Sequence, residues 1–155
     1  AGHAALEYAR RFKNSETFID FIDNHKTWII LNGGTTNDQR DFKGIAQGTL
    51  NQIGDELYEN GIDFSYFREP DLNDALTALC FICDERVFNR KDYPDFKNYL
   101  FDKMDVDSES YTSIKLLCDD ELIEQYPDLY KEWVRLLGGV KNVYLRNLIR
   151  DKKLA

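Results

Sequence analysis

Two apolar stretches joined by an acidic loop, within residues 61–84, constrain the fold of this chain more than any other feature. Apolar and polar side chains largely alternate over residues 62–68, which predicts a strand, and residues 76–83 form an apolar run interrupted only by Thr77. Such a run is typical of a strand that is covered on both faces. Between the two stretches, Pro70 and several aspartate and asparagine residues favour a turn. A turn held between two buried strands would have a fixed position at one edge of a sheet.

The chain before this stretch predicts two helices, a strand and a third helix. Residues 1–12 have small and aromatic side chains at helical spacing, and Ser15 is placed to cap a short helix over residues 16–23. Residues 27–31 are rich in Trp and Ile, which favours a strand, and residues 45–60 return to helical spacing. A strand, a helix and a further strand in this order form a βαβ crossover, so we expect an α/β sheet.

The remainder of the chain, residues 85–155, is predicted to be a mostly helical extension. One helix is expected to run through Phe101, and another covers residues 119–137 with a break at its proline. The last helix is expected over residues 142–152. Residues 111–117 alternate well enough for either an edge strand or a short helix, and the sequence leaves both open.

Length and cysteine content limit the class of protein. With 155 residues, 43% of them hydrophobic and 14% aromatic, the chain is long enough and apolar enough to bury a core. Its three cysteines give no disulfide framework and fit a reducing compartment. The sequence has no apolar run of about 18 residues and no signal-like start, so we expect a cytoplasmic protein without a membrane segment.

The distribution of charge bears on the partners of the protein. A net charge of −8 disfavours nonspecific binding to nucleic acid, since phosphate affinity comes mostly from Lys and Arg. Residues 105–132 carry nine acids and two lysines, whereas residues 141–153 carry five bases and one acid. Two interpretations stay open. These are solvated faces with a basic end that suits the helix dipole, or the basic end contacts RNA or an acidic partner.

Motifs for metal, nucleotide and serine-hydrolase chemistry are incomplete or missing. Cys80 and Cys83 have the spacing of half a zinc site, but residues three apart on a strand point to opposite faces, and no second ligand pair follows. We therefore expect structural thiols and no bound metal. The glycines match no phosphate-binding loop, and there is no nucleophile elbow.

Three side chains are candidates for a reactive site. His3 lies on the first predicted helix beside a small-residue face, and a neutral imidazole there could orient a substrate or relay a proton. Asp71 lies on the rigid loop, and Thr77 opens the second buried strand. Ordinary structural roles are also available, namely turn capping for the aspartate and β-propensity for the threonine.

These residues occur in a pattern that resembles the type II peptidyl-tRNA hydrolases. Residues 2–7, Gly-His-Ala-Ala-Leu-Glu, are similar to the end of that family's first helix, whose motif is Gly-Lys-x-Ala-Ala-Gln-x-x-His-Ala. Residues 26–31 resemble its second strand, and residues 53–62 resemble its next helix. Residues 68–71, Arg-Glu-Pro-Asp, fall where the family has an Asp-Ala-Gly loop, and residues 76–79 fall where a Thr opens its last core strand.

The resemblance implies a fold and an activity. The fold would be a three-layer α/β/α sandwich on a small mixed sheet, and the activity would be hydrolysis of the ester between peptide and tRNA, without a metal or another cofactor. By the same resemblance, His3 and Asp71 would polarise or position a water, and Thr77 would hold the ester or the loop. Lys26 and Arg68 would substitute for the family's basic residue that binds the tRNA acceptor.

The likeness covers roughly residues 1–84, which we expect to form one α/β domain, followed by the extension over residues 85–155. The family's first strand, with its Lys and Gln, would precede residue 1, and its Ala-Gly is Leu72-Asn73 here. Bacteriophage-encoded relatives carry added helical regions of this sort. The alternative function is a catalytically inactive relative that binds a protein through its sheet and acidic helices.

Overall fold

The computed structural model describes residues 1–38 and 47–155. These residues form two compact units. The first unit comprises residues 1–82 and 148–155, and the second comprises residues 83–147. The predicted boundary after residue 84 lies close to this division, while the last eight residues are grouped with the first unit.

The first unit contains helices and a small sheet. Its elements are α1 (Gly2–Phe12), α2 (Glu16–Asp20) with a π-helical turn (Phe21–His25), α3 (Thr49–Glu59), β1 (Phe64–Glu69) and β2 (Ala75–Phe81). The first two helices confirm the prediction, and the Ser15 hydroxyl caps α2 by accepting a 3.2 Å hydrogen bond from the Phe18 amide. The expected start of the third helix, at residues 45–46, lies outside the described residues.

β1 and β2 form an antiparallel pair that confirms the predicted strand, loop and strand. Pairing runs from Phe64 with Phe81 to Glu69 with Ala75, and a bulge follows Phe67. The connecting loop contains a 3₁₀ turn and two residues with positive φ, Asn73 at 51° and Asp74 at 56°. Asn and Asp tolerate this conformation better than most residues, which explains why they end the turn.

Helices pack on both faces of this sheet. On one face, the buried Ser65 hydroxyl of β1 donates a hydrogen bond to the Ala4 carbonyl of α1. On the other face, a Cβ at Gly54 of α3 would lie 3.6 Å from Leu79. Ser65 pairs with Cys80, the neighbour of Leu79, so the two contacts lie on opposite faces because successive side chains alternate. The predicted α/β class is therefore confirmed, with helices on both faces of the sheet, but the described sheet is antiparallel and not mixed as expected.

The strand expected over residues 27–31 is not part of this sheet. Within that segment, Leu31 makes only an isolated antiparallel bridge to Leu154. The predicted regular strand, and the βαβ crossover that depended on it, were therefore wrong, and the described sheet consists of two antiparallel strands. Trp and Ile favour strands, but β-propensity does not specify which segment will pair with them.

The second unit is helical, as the sequence predicted. Its elements are α4 (Glu85–Phe88), α5 (Phe96–Lys103), α6 (Ser108–Leu116), α7 (Asp119–Gln125), α8 (Pro127–Leu137) and the first part of α9 (Val140–Arg150). The ambiguous residues 111–117 lie mostly in α6. The predicted break falls at Pro127, the first residue of α8, and Gly138 ends that helix with φ of 94°.

An aromatic and aliphatic core stabilises the second unit. It consists of Phe96, Tyr99, Leu100, Ile114, Leu122, Trp133, Leu137 and Val143. The Trp133 indole N–H donates a 2.8 Å hydrogen bond to the Pro94 carbonyl, so its polar atom is satisfied. No helix among the described residues is long and apolar enough to cross a membrane.

Candidate functional site

His3 and Thr77, two of the predicted site residues, both contact Phe67 of β1. The imidazole of His3 stacks on the Phe67 ring, with 4.4 Å between ring centroids and 26° between ring planes. The Thr77 hydroxyl donates a long, 3.4 Å hydrogen bond to the Phe67 carbonyl. Both side chains are exposed, so each remains accessible to a ligand.

Asp71 lies at the same end of the hairpin but does not contact those two side chains. It is exposed in the Pro70–Leu72 turn, which follows the last paired residue of β1. Among the described residues, no hydrogen bond joins its carboxylate to His3 or Thr77. The turn fixes the backbone of Asp71 at the end of β1, and the shared role of the three residues stays a prediction.

Arg68 follows Phe67 near the end of β1, whereas Lys26 lies in a different element. The Arg68 guanidinium donates a 3.1 Å hydrogen bond to the Asp74 carbonyl and lies 6.0 Å from the centre of the Tyr66 ring. Lys26 ends the π-helical turn with φ of 59°, and its amide bonds to the Phe21 carbonyl. Nothing in the described part of the chain joins the Lys26 side chain to the Phe67 group.

An open depression of about 320 Å³ lies beside this group. It is lined by Glu7, Arg10, Arg11, Tyr66 and Phe67. Phe67 therefore connects the depression to His3, and Tyr66 connects it to Arg68. We call Arg10, Arg11, Tyr66 and Arg68 the arginine–tyrosine surface.

Three arginines on one surface stand out in a chain with a net charge of −8. Glu7 accepts two bonds from the Arg10 guanidinium, at 2.7 and 3.0 Å, and so offsets part of that charge. Arg11 makes no ion pair within the described residues, and Tyr66 is 48% exposed. The surface can therefore offer cations and an aromatic face to an anionic, planar ligand.

Arg10 and Arg11 were not predicted as site residues. They close the last turn of α1, where two cations also suit the negative end of the helix dipole. Only the packing of α1 against β1 brings them to Tyr66. A pair of adjacent arginines was the available sequence clue, and it was indistinguishable from ordinary helix capping.

Cys80 and Cys83 are partly buried thiols, whereas Cys118 is exposed. Burial raises the pKa of Cys80, and burial together with the nearby Asp84 carboxylate raises the pKa of Cys83 to about 11. Thiols that stay protonated at neutral pH are poor nucleophiles and poor metal ligands. In the part of the chain that the structure describes, no group of His, Cys, Asp and Glu side chains could hold a metal ion.

Comparisons with protein-family models, with curated proteins and with solved structures found no match to this chain. The relation to the type II peptidyl-tRNA hydrolases therefore stays a prediction from the residues quoted above.

Proposed function

We propose that the first unit binds the 3′ end of a peptidyl-tRNA at the arginine–tyrosine surface and hydrolyses the ester between peptide and tRNA. We base this on the contact of His3 and Thr77 with Phe67, which also lines the arginine-rich depression. The resemblance to the type II peptidyl-tRNA hydrolases supports the choice of reaction.

The binding part of the proposal follows from charge and exposure. The 3′ end of a tRNA is single-stranded and offers phosphates and the flat faces of bases. Guanidinium groups bind phosphate oxygens in pairs, and an exposed tyrosine provides a stacking surface for a base. Arg11, Arg68 and the half-exposed Tyr66 supply these groups. The net charge of −8 would disfavour nonspecific contacts of RNA with the rest of the protein.

In the proposed hydrolysis, each polar group around Phe67 has a role. His3 takes a proton from a water whose oxygen attacks the ester carbonyl carbon. The bond from that carbon to the ribose oxygen then breaks, and the proton passes to the ribose oxygen, which leaves as a hydroxyl. Stacking on Phe67 fixes the plane of the imidazole. The long bond from Thr77 to the Phe67 carbonyl is weak, so the hydroxyl can turn to donate to the developing oxyanion.

Asp71 would orient the imidazole or the water from the adjacent turn. Its exposed position leaves the carboxylate free to move toward a bound substrate. We expect Asp71→Ala to abolish ester cleavage and to leave the melting temperature nearly unchanged. Equal activity in that variant would remove Asp71 from the mechanism.

The test is the release of labelled peptide from peptidyl-tRNA by the whole chain. His3→Gln should slow the release by about 10²-fold or more, because a general base commonly contributes 10²–10⁴-fold. His25→Gln is the matched control, since the His25 side chain is exposed and its hydrogen-bond partner among the described residues is Asp20. A wild-type rate equal to that of buffer, or equal rates for wild type and His3→Gln, would contradict the proposal.

A second candidate function is binding of a protein through the acidic helices of the second unit. Tyr111 and Leu116 of α6 are 46% and 81% exposed, in a stretch that carries nine acids and two lysines. Large apolar side chains within an acidic surface fit a basic, apolar partner. Salt-insensitive co-purification with a protein, together with an absence of tRNA binding, would favour this candidate.

A further inference from the structure

Residues 27–31, Thr-Trp-Ile-Ile-Leu, carry large apolar side chains that are open to solvent. We call these residues the apolar segment. Trp28 is 60% exposed, Ile29 is 56% exposed and Ile30 is 50% exposed. Consecutive side chains of an extended chain point to opposite sides, so neither side of this segment is fully covered. A contiguous exposed apolar patch of this kind marks an interaction site more often than an ordinary surface.

The backbone of the apolar segment is paired on one side only. The Asn32 amide donates to the Lys153 carbonyl at 2.9 Å, and the Ala155 amide donates to the Ile30 carbonyl at 3.0 Å. The amides of residues 27–31 donate no hydrogen bond within the described residues. In an antiparallel pair, successive residues turn their polar groups to opposite sides. Those of Ile29 and Leu31 therefore point away from residues 153–155 and form the open edge of this short extended pairing.

Lysines flank the apolar segment. Lys26 precedes the apolar segment, and Lys152 and Lys153 lie on the chain that pairs with it. None of the three makes an ion pair within the described residues. The nearest acids in the chain, Asp23 and Asp151, are exposed and are outnumbered by these lysines. The charge around the edge thus complements an acidic ligand.

We propose that the apolar segment binds an extended peptide of another protein as an added strand, and that this peptide alternates apolar with acidic residues. The peptide backbone would pair with the free groups of Ile29 and Leu31. Its apolar side chains would cover Trp28 or Ile29, and its carboxylates would approach the three lysines. Strand addition to an open sheet edge is a general mode of peptide recognition, in which the main chain supplies affinity and the side chains supply specificity.

The same observations disfavour two other occupants. A lipid surface would cover the apolar side chains but would leave the amides of the edge without partners, which is costly in hydrocarbon. A second copy of this chain, paired through the same edge with twofold symmetry, would present residues 27–31 again, which carry no acid and so offer the lysines no partner. An acidic peptide satisfies the amides and the lysines at once.

The ligand for the test is an end-blocked octapeptide of alternating valine and glutamate. Trp28 reports binding, because it is exposed, whereas the other tryptophan, Trp133, is 4% exposed in the second unit. Burial of Trp28 should shift its fluorescence to shorter wavelength with a saturable dependence on peptide concentration. The Trp28→Phe variant should give no shift.

A matched peptide and two matched variants identify the mode of binding. An octapeptide N-methylated at every residue keeps every side chain but has no amide N–H to donate from either edge, and it should bind at least tenfold more weakly. Ile30→Lys should weaken binding at least tenfold. Leu6→Lys, at an exposed apolar position on α1, should leave binding unchanged. Far-ultraviolet circular dichroism checks that both variants fold.

Several outcomes would overturn the proposal. These are equal binding of the methylated peptide, equal binding of an alternating valine–lysine octapeptide, or unchanged affinity in folded Ile30→Lys. Binding to phosphatidylserine vesicles without binding to the peptide would assign the segment to a membrane surface. Concentration-dependent dimerisation that Ile30→Lys abolishes would assign it to a second copy.

Discussion

The two units of this chain use the same kinds of residue for opposite purposes. In the second unit, Trp133 and Phe96 are 4% exposed each, and their ring centroids lie 5.6 Å apart in a closed core. In the first unit, Trp28 and Tyr66 are 60% and 48% exposed. Because buried aromatic area stabilises a fold and exposed aromatic area is available to ligands, Trp133 and Phe96 stabilise their unit, whereas Trp28 and Tyr66 are available to a ligand.

Arginines show the same contrast. Arg146 of the second unit is 1% exposed and donates to the Arg86 carbonyl at 2.7 Å, the Tyr93 carbonyl at 2.6 Å and the Asp95 carboxylate at 3.1 Å. The guanidinium therefore fastens α9 to α4 and to the segment between α4 and α5. In the first unit, Arg68 is exposed and lies over Tyr66, where a ligand can reach it. Composition alone would not have separated these roles.

The largest predicted effect follows from the closed core of the second unit. Leu137 is fully buried, so Leu137→Ala should lower the free energy of unfolding by about 2–5 kcal/mol, through lost burial and a residual cavity. Urea denaturation followed by Trp133 fluorescence, in a Trp28→Phe background, measures this unit. Leu136→Ala is the control, since Leu136 is 38% exposed. This substitution should lower the free energy of unfolding by about 0.5 kcal/mol or less. Similar losses in the free energy of unfolding for both leucine variants would contradict a closed core in the second unit.

A somewhat smaller loss is expected at the buried guanidinium. Arg146→Met keeps most of the side-chain volume but leaves two carbonyls and the partly exposed Asp95 without their donor. We expect the free energy of unfolding to fall by about 2–3 kcal/mol. Arg135→Met changes an exposed arginine on α8 and is the control. Its free energy of unfolding should lie within about 0.5 kcal/mol of the wild-type value. An Arg146 variant as stable as this control would show that the guanidinium is not needed to hold the unit together.

The smallest effect is a pH dependence. Burial raises the pKa of Cys83 from 9.0 to about 11, so the folded protein holds this proton more tightly than the unfolded chain does. The stabilisation is fully present below about pH 9 and is lost as the pH rises through about 11. Urea midpoints measured from pH 8 to pH 11 should fall less steeply in Cys83→Ala than in wild type. Cys118→Ser, at an exposed cysteine, should keep the wild-type slope.

Features set by neighbouring residues were predictable from the sequence. The Ser15 cap, the acidic turn between β1 and β2, and the helix break at Pro127 each depend on a few consecutive residues. The helix at residues 111–117 could also have been predicted. Asp107 is the N-cap of α6, and its carboxylate accepts a 2.8 Å hydrogen bond from the Ser110 amide. An aspartate at this position favours a helix over an edge strand.

Features set by distant residues were not predictable in the same way. The apolar segment has strand-forming residues, but its single bridge is to Leu154, more than a hundred residues away. Similarly, the sequence indicated His3 and Thr77 by resemblance, while their common contact with Phe67 depends on how α1 packs on β1. Arg10 and Arg11 became part of a surface only through that packing.

The most direct test of the central claim measures the affinity of the whole chain for a short RNA with the sequence of a tRNA 3′ end, over a range of salt concentrations. Each phosphate contact in a single strand contributes roughly 0.7 to the slope of log affinity against log salt. The account predicts binding that weakens as salt rises, with a slope reduced by roughly 1.4 in the Arg11→Gln, Arg68→Gln double variant and unchanged in Lys131→Gln. No binding at low salt, or the same slope in wild type and the double variant, would contradict it.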